Sequence, residues 1–317
     1  MFNMTRLVII GLAIAAAAMP VLAVDGGIGR TITGTWVIPG VAVVGPDPGP
    51  GLTVLPFGYQ GAMGGSRIDP VWGVIVSNDQ ANASINVVIP SYTWKTETTK
   101  VNFSSALMIP ANWWGASGSV LANNTFTGTT AANASVGDVI FIPVTIGVHL
   151  SENNNLAFST WVWAPTGLWR TGNLSNVGMG VVTFMPNVGH TFYWEKHKVE
   201  FDNFVGFDIY QRNRATDYGS GTMFHWDGMA IKYFGKKRGG IGAVVANQTQ
   251  ITDDSGPLAQ TLNGFSGRKW GVGPTVIYTA RADNPGVTFQ FRWINEFHVT
   301  NMLKGNIFMA GVYFKLK

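Results

Sequence analysis

Between Val287 and Thr300 the chain alternates. One set of positions is Phe289, Phe291, Trp293, Asn295, Phe297 and Val299. The interleaved set is Gln290, Arg292, Ile294, Glu296 and His298. Further on, Phe308, Ala310, Val312, Phe314 and Leu316 alternate with Met309, Gly311, Tyr313, Lys315 and Lys317. A period of two predicts strands with one apolar and one mixed face. In a soluble sandwich the apolar face would turn to a core; in a membrane barrel it turns to lipid and the polar face lines the lumen. Alternation alone leaves both open.

The same reading along the chain predicts twelve strands, at 52–64, 82–95, 100–110, 137–150, 155–164, 178–195, 199–211, 222–234, 239–250, 269–281, 287–300 and 306–316. Val71 to Ser77 competes for the role of the first, and Pro186 predicts a bulge or break in the sixth. The breaks sort into two alternating classes. Those at 96–99, 151–154, 196–198, 235–238 and 282–286 are short. Those at 65–81, 111–136, 165–177, 212–221 and 251–268 are long, with 301–305 the one short member of that class. Short turns on one side and long loops on the other are the pattern of an outer-membrane barrel with an even strand count. A soluble sandwich has no reason to sort its loops this way.

Composition points the same way. Charged residues are 12% of the chain, about half the usual share of a soluble domain. Forty glycines, 12% aromatics and no cysteine suit a barrel with lipid-facing rings and tight turns. Arg6, the uncharged run Leu7 to Met19 and small residues up to Ala23 predict a signal peptide at 1–23 and export. The alternative is a short membrane anchor, for which the run is too short. Cleavage lowers the net charge from +4 to +3, and no dense basic run suggests nucleic acid. Lys236, Lys237 and Arg238 read as a solvated turn. Residues 24–51 are rich in proline and glycine and lack alternation, which predicts an extended arm, either plugging the barrel mouth or lying in the periplasm. The barrel then occupies 52–317. Gly311, Phe314 and Leu316 near the chain end resemble the signal that barrel-assembly machinery reads, although Lys317 replaces the usual terminal apolar residue.

Pro165-Thr166-Gly167, Gly178 to Pro186, Arg212-Asn213, Thr216 to Gly221, Thr252 to Gly256 and Gly273-Pro274 form an ordered series of motifs. That series resembles the outer-membrane proteins named for the MetA pathway of phenol degradation. Pro48-Gly49-Pro50-Gly51-Leu52 is similar to that family's entry into its first strand. The resemblance covers most of the mature chain, is strongest from about 155 to 317 and departs most before residue 100. It implies an antiparallel transmembrane β-barrel in the bacterial outer membrane and transport of hydrophobic or aromatic small molecules.

Luminal polar residues would set selectivity. Gln290, Arg292, Glu296 and His298 are candidates, either as a ring that orients a phenol-like solute or as a salt-bridge ladder supporting the wall. A charge turned to mid-bilayer lipid costs roughly 2–4 kcal/mol for Arg or Lys, which decides the face that Arg292 takes. Asp208 and Tyr210 share a face with Glu200 and Asp202, interrupted by Phe204. His225 and Asp227, two apart, could hold a metal or transfer a proton; with no third ligand in sequence, a structural pair is the reading preferred. Arg212, Arg214, Asp217 and Tyr218 form a candidate constriction loop, or a turn built for its own backbone. Thr252-Asp253-Asp254-Ser255-Gly256 lacks the ligand spacing of an EF-hand and reads as turn chemistry, so no metal or cofactor is expected. Trp113, Trp114, Trp161, Trp163 and Trp169 are expected at the outer membrane interface.

No nucleophile elbow, phosphate loop or His-Glu-x-x-His motif occurs. The leading expectation is a non-enzymatic channel for passive uptake of small apolar or aromatic solutes, with outer-membrane lipids and the barrel-assembly machinery as further partners. The alternatives are a structural or adhesive barrel with partner-binding loops such as 111–136, and a barrel-embedded hydrolase.

Overall fold

The computed structural model describes residues 29–64, 68–235, 238–262, 264–281 and 287–315. The predicted signal peptide, Lys236, Lys237 and Leu316 lie outside that set. The described strands are β1 (Gly49–Gly64), β2 (Ile68–Val71), β3 (Val74–Thr93), β4 (Val101–Ala122), β5 (Thr125–Val136), β6 (Ile140–Ser151) and β7 (Asn154–Trp163), followed by β8 (Thr183–Trp194), β9 (Val199–Tyr210), β10 (Met223–Phe234), β11 (Gly239–Gln250), β12 (Arg268–Arg281), β13 (Val287–Thr300) and β14 (Met302–Lys315). All pairings are antiparallel.

The sheet closes on itself through β1–β14 and β3–β4, giving a twelve-stranded ring in which only β2 and β5 are extra. Closure matters energetically, because a strand edge left open in lipid would carry unpaired N–H and C=O groups. β2 pairs with the start of β3 above β1, and β5 pairs with the second half of β4 above β6. The wall is therefore raised on that side. Residues 111–136, expected to be a loop, are half of β4 and all of β5. The Thr, Ala, Asn and Gly residues of β5 are mostly exposed on both faces, so no hydrophobic alternation marks that strand. The last strand also starts earlier than expected, at Met302 after a turn at Asn301 (φ 51°), and the sixth run begins at Thr183 rather than 178.

Outside the ring, Phe291 (59% exposed), Trp293, Phe308, Phe207, Val272 and Val276 face outward. Inside, one hydrophobic cluster draws side chains from all twelve ring strands and from Trp36 and Val37. No described helix is long and apolar enough to cross a membrane.

Candidate functional site

The interior has two unlike sides. From β1, β3, β6 and β7 it receives Leu55, Phe57, Ala83, Ile85, Ile140 and Trp161. From β9 to β13 it receives Glu200, Asp202, Asp208, His225, Asp227, Gln248, Lys269, Gln290, Arg292 and Glu296, all buried. On β3 the expected facing is reversed: Ala81, Ala83, Ile85 and Val87 are buried, whereas Gln80, Asn82, Ser84 and Asn86 are exposed.

Residues 29–48 form no strand and run between these two sides. Two short turns shape the segment, with Thr35 N donating to Ile32 O at 3.2 Å and Val41 N to Ile38 O at 3.0 Å. Its donors meet the acids of the wall. Asp227 accepts from Gly34 N and Trp36 N, each at 3.0 Å. Gly40 N donates to Glu200 at 3.2 Å and to Asp202 at 3.1 Å. Thr33 Oγ1 donates to Glu296 at 2.6 Å. Arg292 donates to Gly34 O and, at 2.7 Å, to Val37 O. Gly34 is left-handed (φ 72°), and a Cβ there would lie 2.3 Å from Ile294 Cδ1, so the turn needs glycine. Arg30 donates to Asp138, which also accepts from Gly167 N and Met179 N, each at 2.8 Å. That contact joins the segment to the connection between β7 and β8.

Aromatic rings cross the same space. Trp36 meets Trp161 edge-on at 5.0 Å and Trp163 at 6.1 Å; Phe204 lies 5.3 Å from Trp161 and stacks on His225 at 5.7 Å. The guanidinium of Arg30 sits 5.2 Å from the Trp163 ring centre.

These positions redistribute the sequence candidates. Gln290, Arg292 and Glu296 do share the inward face, but Arg292 and Glu296 do not pair with each other. Glu296 binds Lys269 at 2.7 Å, which the sequence offered no reason to connect with it. Gln290 Nε2 donates to Thr275 at 3.2 Å, and its Oε1 accepts from Tyr313 at 2.7 Å. His298 is a correction. Its left-handed φ of 49° accompanies a register shift between β12 and β13, and the side chain is exposed. Asp208, Tyr210, His225 and Asp227 are inside, yet His225 and Asp227 are not partners; the nearest acid to His225 is Asp208 at 3.9 Å.

In the candidate constriction loop, Arg212 pairs with Asp217 at 2.6 Å and both are open to solvent, as is Arg214. Tyr218 alone is buried and donates to Asp254. The segment is braced by the bridges Asn213↔Tyr218 and Gly219↔Ser255, and thus leans on the β11–β12 connection. Trp161 and Trp163 are also corrections: they face inward because Trp36 packs between them, while Phe158 takes the outward side of β7. Trp169 packs inward in a second cluster over the long-connection end. Among the described residues no group of three or more His, Asp or Glu could hold a metal.

On the outer face of β1, β14, β13 and β12 lies a groove of about 550 Å³, bounded by Phe291, Trp293, Phe308 and Val276, with Phe57 and Met309 reaching it from within. Pro56 and Pro274 also line it. Proline lacks the N–H that a ladder needs, and the β1–β14 pairing is interrupted between Val54 and Phe57.

Residues 64–310 match the family described as "Putative MetA-pathway of phenol degradation". No curated protein matches the chain. An outer membrane channel from Pseudomonas putida F1, known from its crystal structure, superposes with a TM-score of 0.68 at 12% identity over 88% of this chain and 100% of that one. The β domain of a Bordetella autotransporter gives 0.49 at 8% identity over 84% and 99%. The monoaromatic hydrocarbon channel CymD gives 0.43 at 6% over 84% and 88%. The last two superpose too loosely to bear on the argument.

Proposed function

Because the chain belongs to the MetA-pathway phenol-degradation family and folds as an outer-membrane β-barrel, we propose that it is a channel for passive uptake of small hydrophobic or aromatic compounds. The observation that carries this reading is the row Trp163, Trp36, Trp161, Phe204 and His225 across the lumen. Aromatic faces offer an apolar solute weak successive contacts, which allow both entry and release.

The segment 29–48 acts as a plug. It is held by non-covalent contacts, without a backbone ladder to the wall, so it can yield, and solute passes when it does. The groove beside Pro56 and Pro274 gives apolar solutes a side route between lumen and bilayer. Outer-membrane lipids surround the aromatic exterior, and the barrel-assembly machinery inserts the chain. The protein acts as a conduit and not as an enzyme.

In proteoliposomes, protein-dependent uptake of a labelled small aromatic is the expected result. Uptake no faster than in protein-free vesicles contradicts the reading. The packed interior and the exposed, uncharged strand Thr125–Val136 favour a second reading, an adhesive barrel. Binding of a surface partner that is lost on replacing β5, with uptake absent throughout, would select it.

A further inference from the structure

A second cavity, of about 480 Å³, opens between β5 and the connection from β7 to β8. Residues 131–133 of β5 bound it on one side; Leu168, Arg170, Thr171 and Asn173 bound it on the other. That volume falls within the range of small-molecule sites. None of the lumen's aromatic row lines it. It lies at the long-connection end of the barrel, which in outer-membrane barrels is the outer side.

The walls are fixed by bonds made within them. Asn133 Nδ2 donates to Ser175 Oγ at 2.7 Å and to Ser175 O at 3.1 Å, tying β5 to the connection. Asn176 Oδ1 accepts from Arg170 N at 2.9 Å and from Asn173 Nδ2 at 3.0 Å, while its Nδ2 donates to Arg170 O at 2.7 Å. Gly172, left-handed at φ 70°, turns the chain between them and donates to Trp72 O at 2.8 Å. Other polar groups are left over. The Arg170 guanidinium and Asn133 Oδ1 have no partner among the described residues. The backbone edge of residues 131–133 pairs with β4 alone, so its far side keeps free donors and acceptors.

No Asp or Glu lines the cavity, and residues 101–136 carry no charged side chain, so Arg170 sets its sign. An anionic group is therefore favoured beside it. Leu168, Ala131 and Ala132 offer apolar contact next to amides, hydroxyls and the strand edge. A sugar ring presents the matching surface, C–H faces bordered by hydroxyls that both donate and accept. A peptide strand is matched less well, because three residues of edge span only about 10 Å.

We propose that this cavity binds an anionic sugar, its phosphate or carboxylate on Arg170 and its ring hydroxyls on Asn133 and the edge of β5. Free sugar phosphates and the phosphorylated sugars of lipopolysaccharide share that chemistry. The inference concerns the outer end of the molecule and stands apart from passage through the lumen.

The test is calorimetric titration of the folded, full-length protein with glucose 1-phosphate, glucose and inorganic phosphate. Glucose 1-phosphate is expected to bind about 10-fold more tightly than either of the others. Arg170→Gln should bring it down to the level of glucose, and Ala132→Trp, which fills the cavity from an exposed position, should abolish both. Should Ala132→Trp not reach the heat-modifiable folded form, Arg170→Gln, altered at an exposed side chain, carries the comparison. Native lipopolysaccharide and the same material stripped of its phosphates then serve as competitors. Displacement by the native form alone identifies a ligand in the leaflet; displacement by neither identifies a free sugar phosphate. The proposal is overturned if glucose 1-phosphate does not bind, or if its affinity is unchanged in the folded variants. Equal binding of inorganic phosphate or of an acidic tetrapeptide overturns it as well, since the site would then read charge without the sugar.

Discussion

The two walls of this barrel obey opposite rules. Along β13, rings point out and Gln290, Arg292 and Glu296 point in; along β3, amides point out and Ala81, Ala83, Ile85 and Val87 point in. The difference lies in what each wall meets inside. The β9–β13 side is full of carboxylates and matches the backbone donors of residues 34–42. The β1–β7 side meets Trp36 and Val37, and buries apolar surface against them. One segment of chain without regular structure thus satisfies two chemically different surfaces. A strand's facing is decided by its partner as well as by the solvent outside.

Removing that segment should break the comparison most completely. Deleting residues 29–48 removes the donors that the segment supplies to Glu200, Asp202, Asp227 and Glu296 and leaves these acids facing water. Planar-bilayer recording is expected to change from no steady current to a persistent one that favours cations, because Arg292 and Lys269 are outnumbered by these acids. An anion-selective or silent deletion would refute the assignment of charges to the lumen.

Next in size is Arg292→Ala. It orphans the carbonyls of Gly34 and Val37 in a buried site and should cost about 3 kcal/mol, read as a lower urea midpoint of the folded, heat-modifiable band. The outer faces can be set against each other directly. Phe291→Arg should cost roughly 2–4 kcal/mol, the price of a cation in mid-bilayer, whereas Asn82→Arg should cost about 0–1 kcal/mol. Equal costs would erase the distinction drawn between β13 and β3. A smaller cost than that of Phe291→Arg is expected for Gly34→Ala, about 1–2 kcal/mol from the left-handed φ, with Ile294 displaced, read from the same urea midpoint.

Much of the ring was legible because period-two alternation survives wherever one face meets lipid and the other meets polar groups. β13 is the clearest case: Phe291, Arg292, Trp293, Ile294, Asn295 and Glu296 all face as their pattern predicts. His298 was not legible, since a single left-handed residue re-aims a side chain without leaving a mark on the pattern. Trp161 and Trp163 misled because a tryptophan suits an interface and a packed lumen equally well, and the partner that decides is Trp36, more than a hundred residues away. β5 carried no signal, having no buried face. The candidate pair His225 and Asp227 was found as residues but not as chemistry: their actual neighbours, Asp208 and the amides of Gly34 and Trp36, are set by register and by the aperiodic segment.

The central claim is that residues 29–48 must move for solute to pass. The chain has no cysteine, and a Cβ on Gly189 would lie 3.6 Å from that of Ala42, within the span a disulfide bridges. Proteoliposomes holding the Ala42→Cys, Gly189→Cys variant should take up a labelled small aromatic only after reduction, with uptake blocked under oxidising conditions. Equal uptake before and after reduction, with the disulfide confirmed by mass spectrometry, would contradict it.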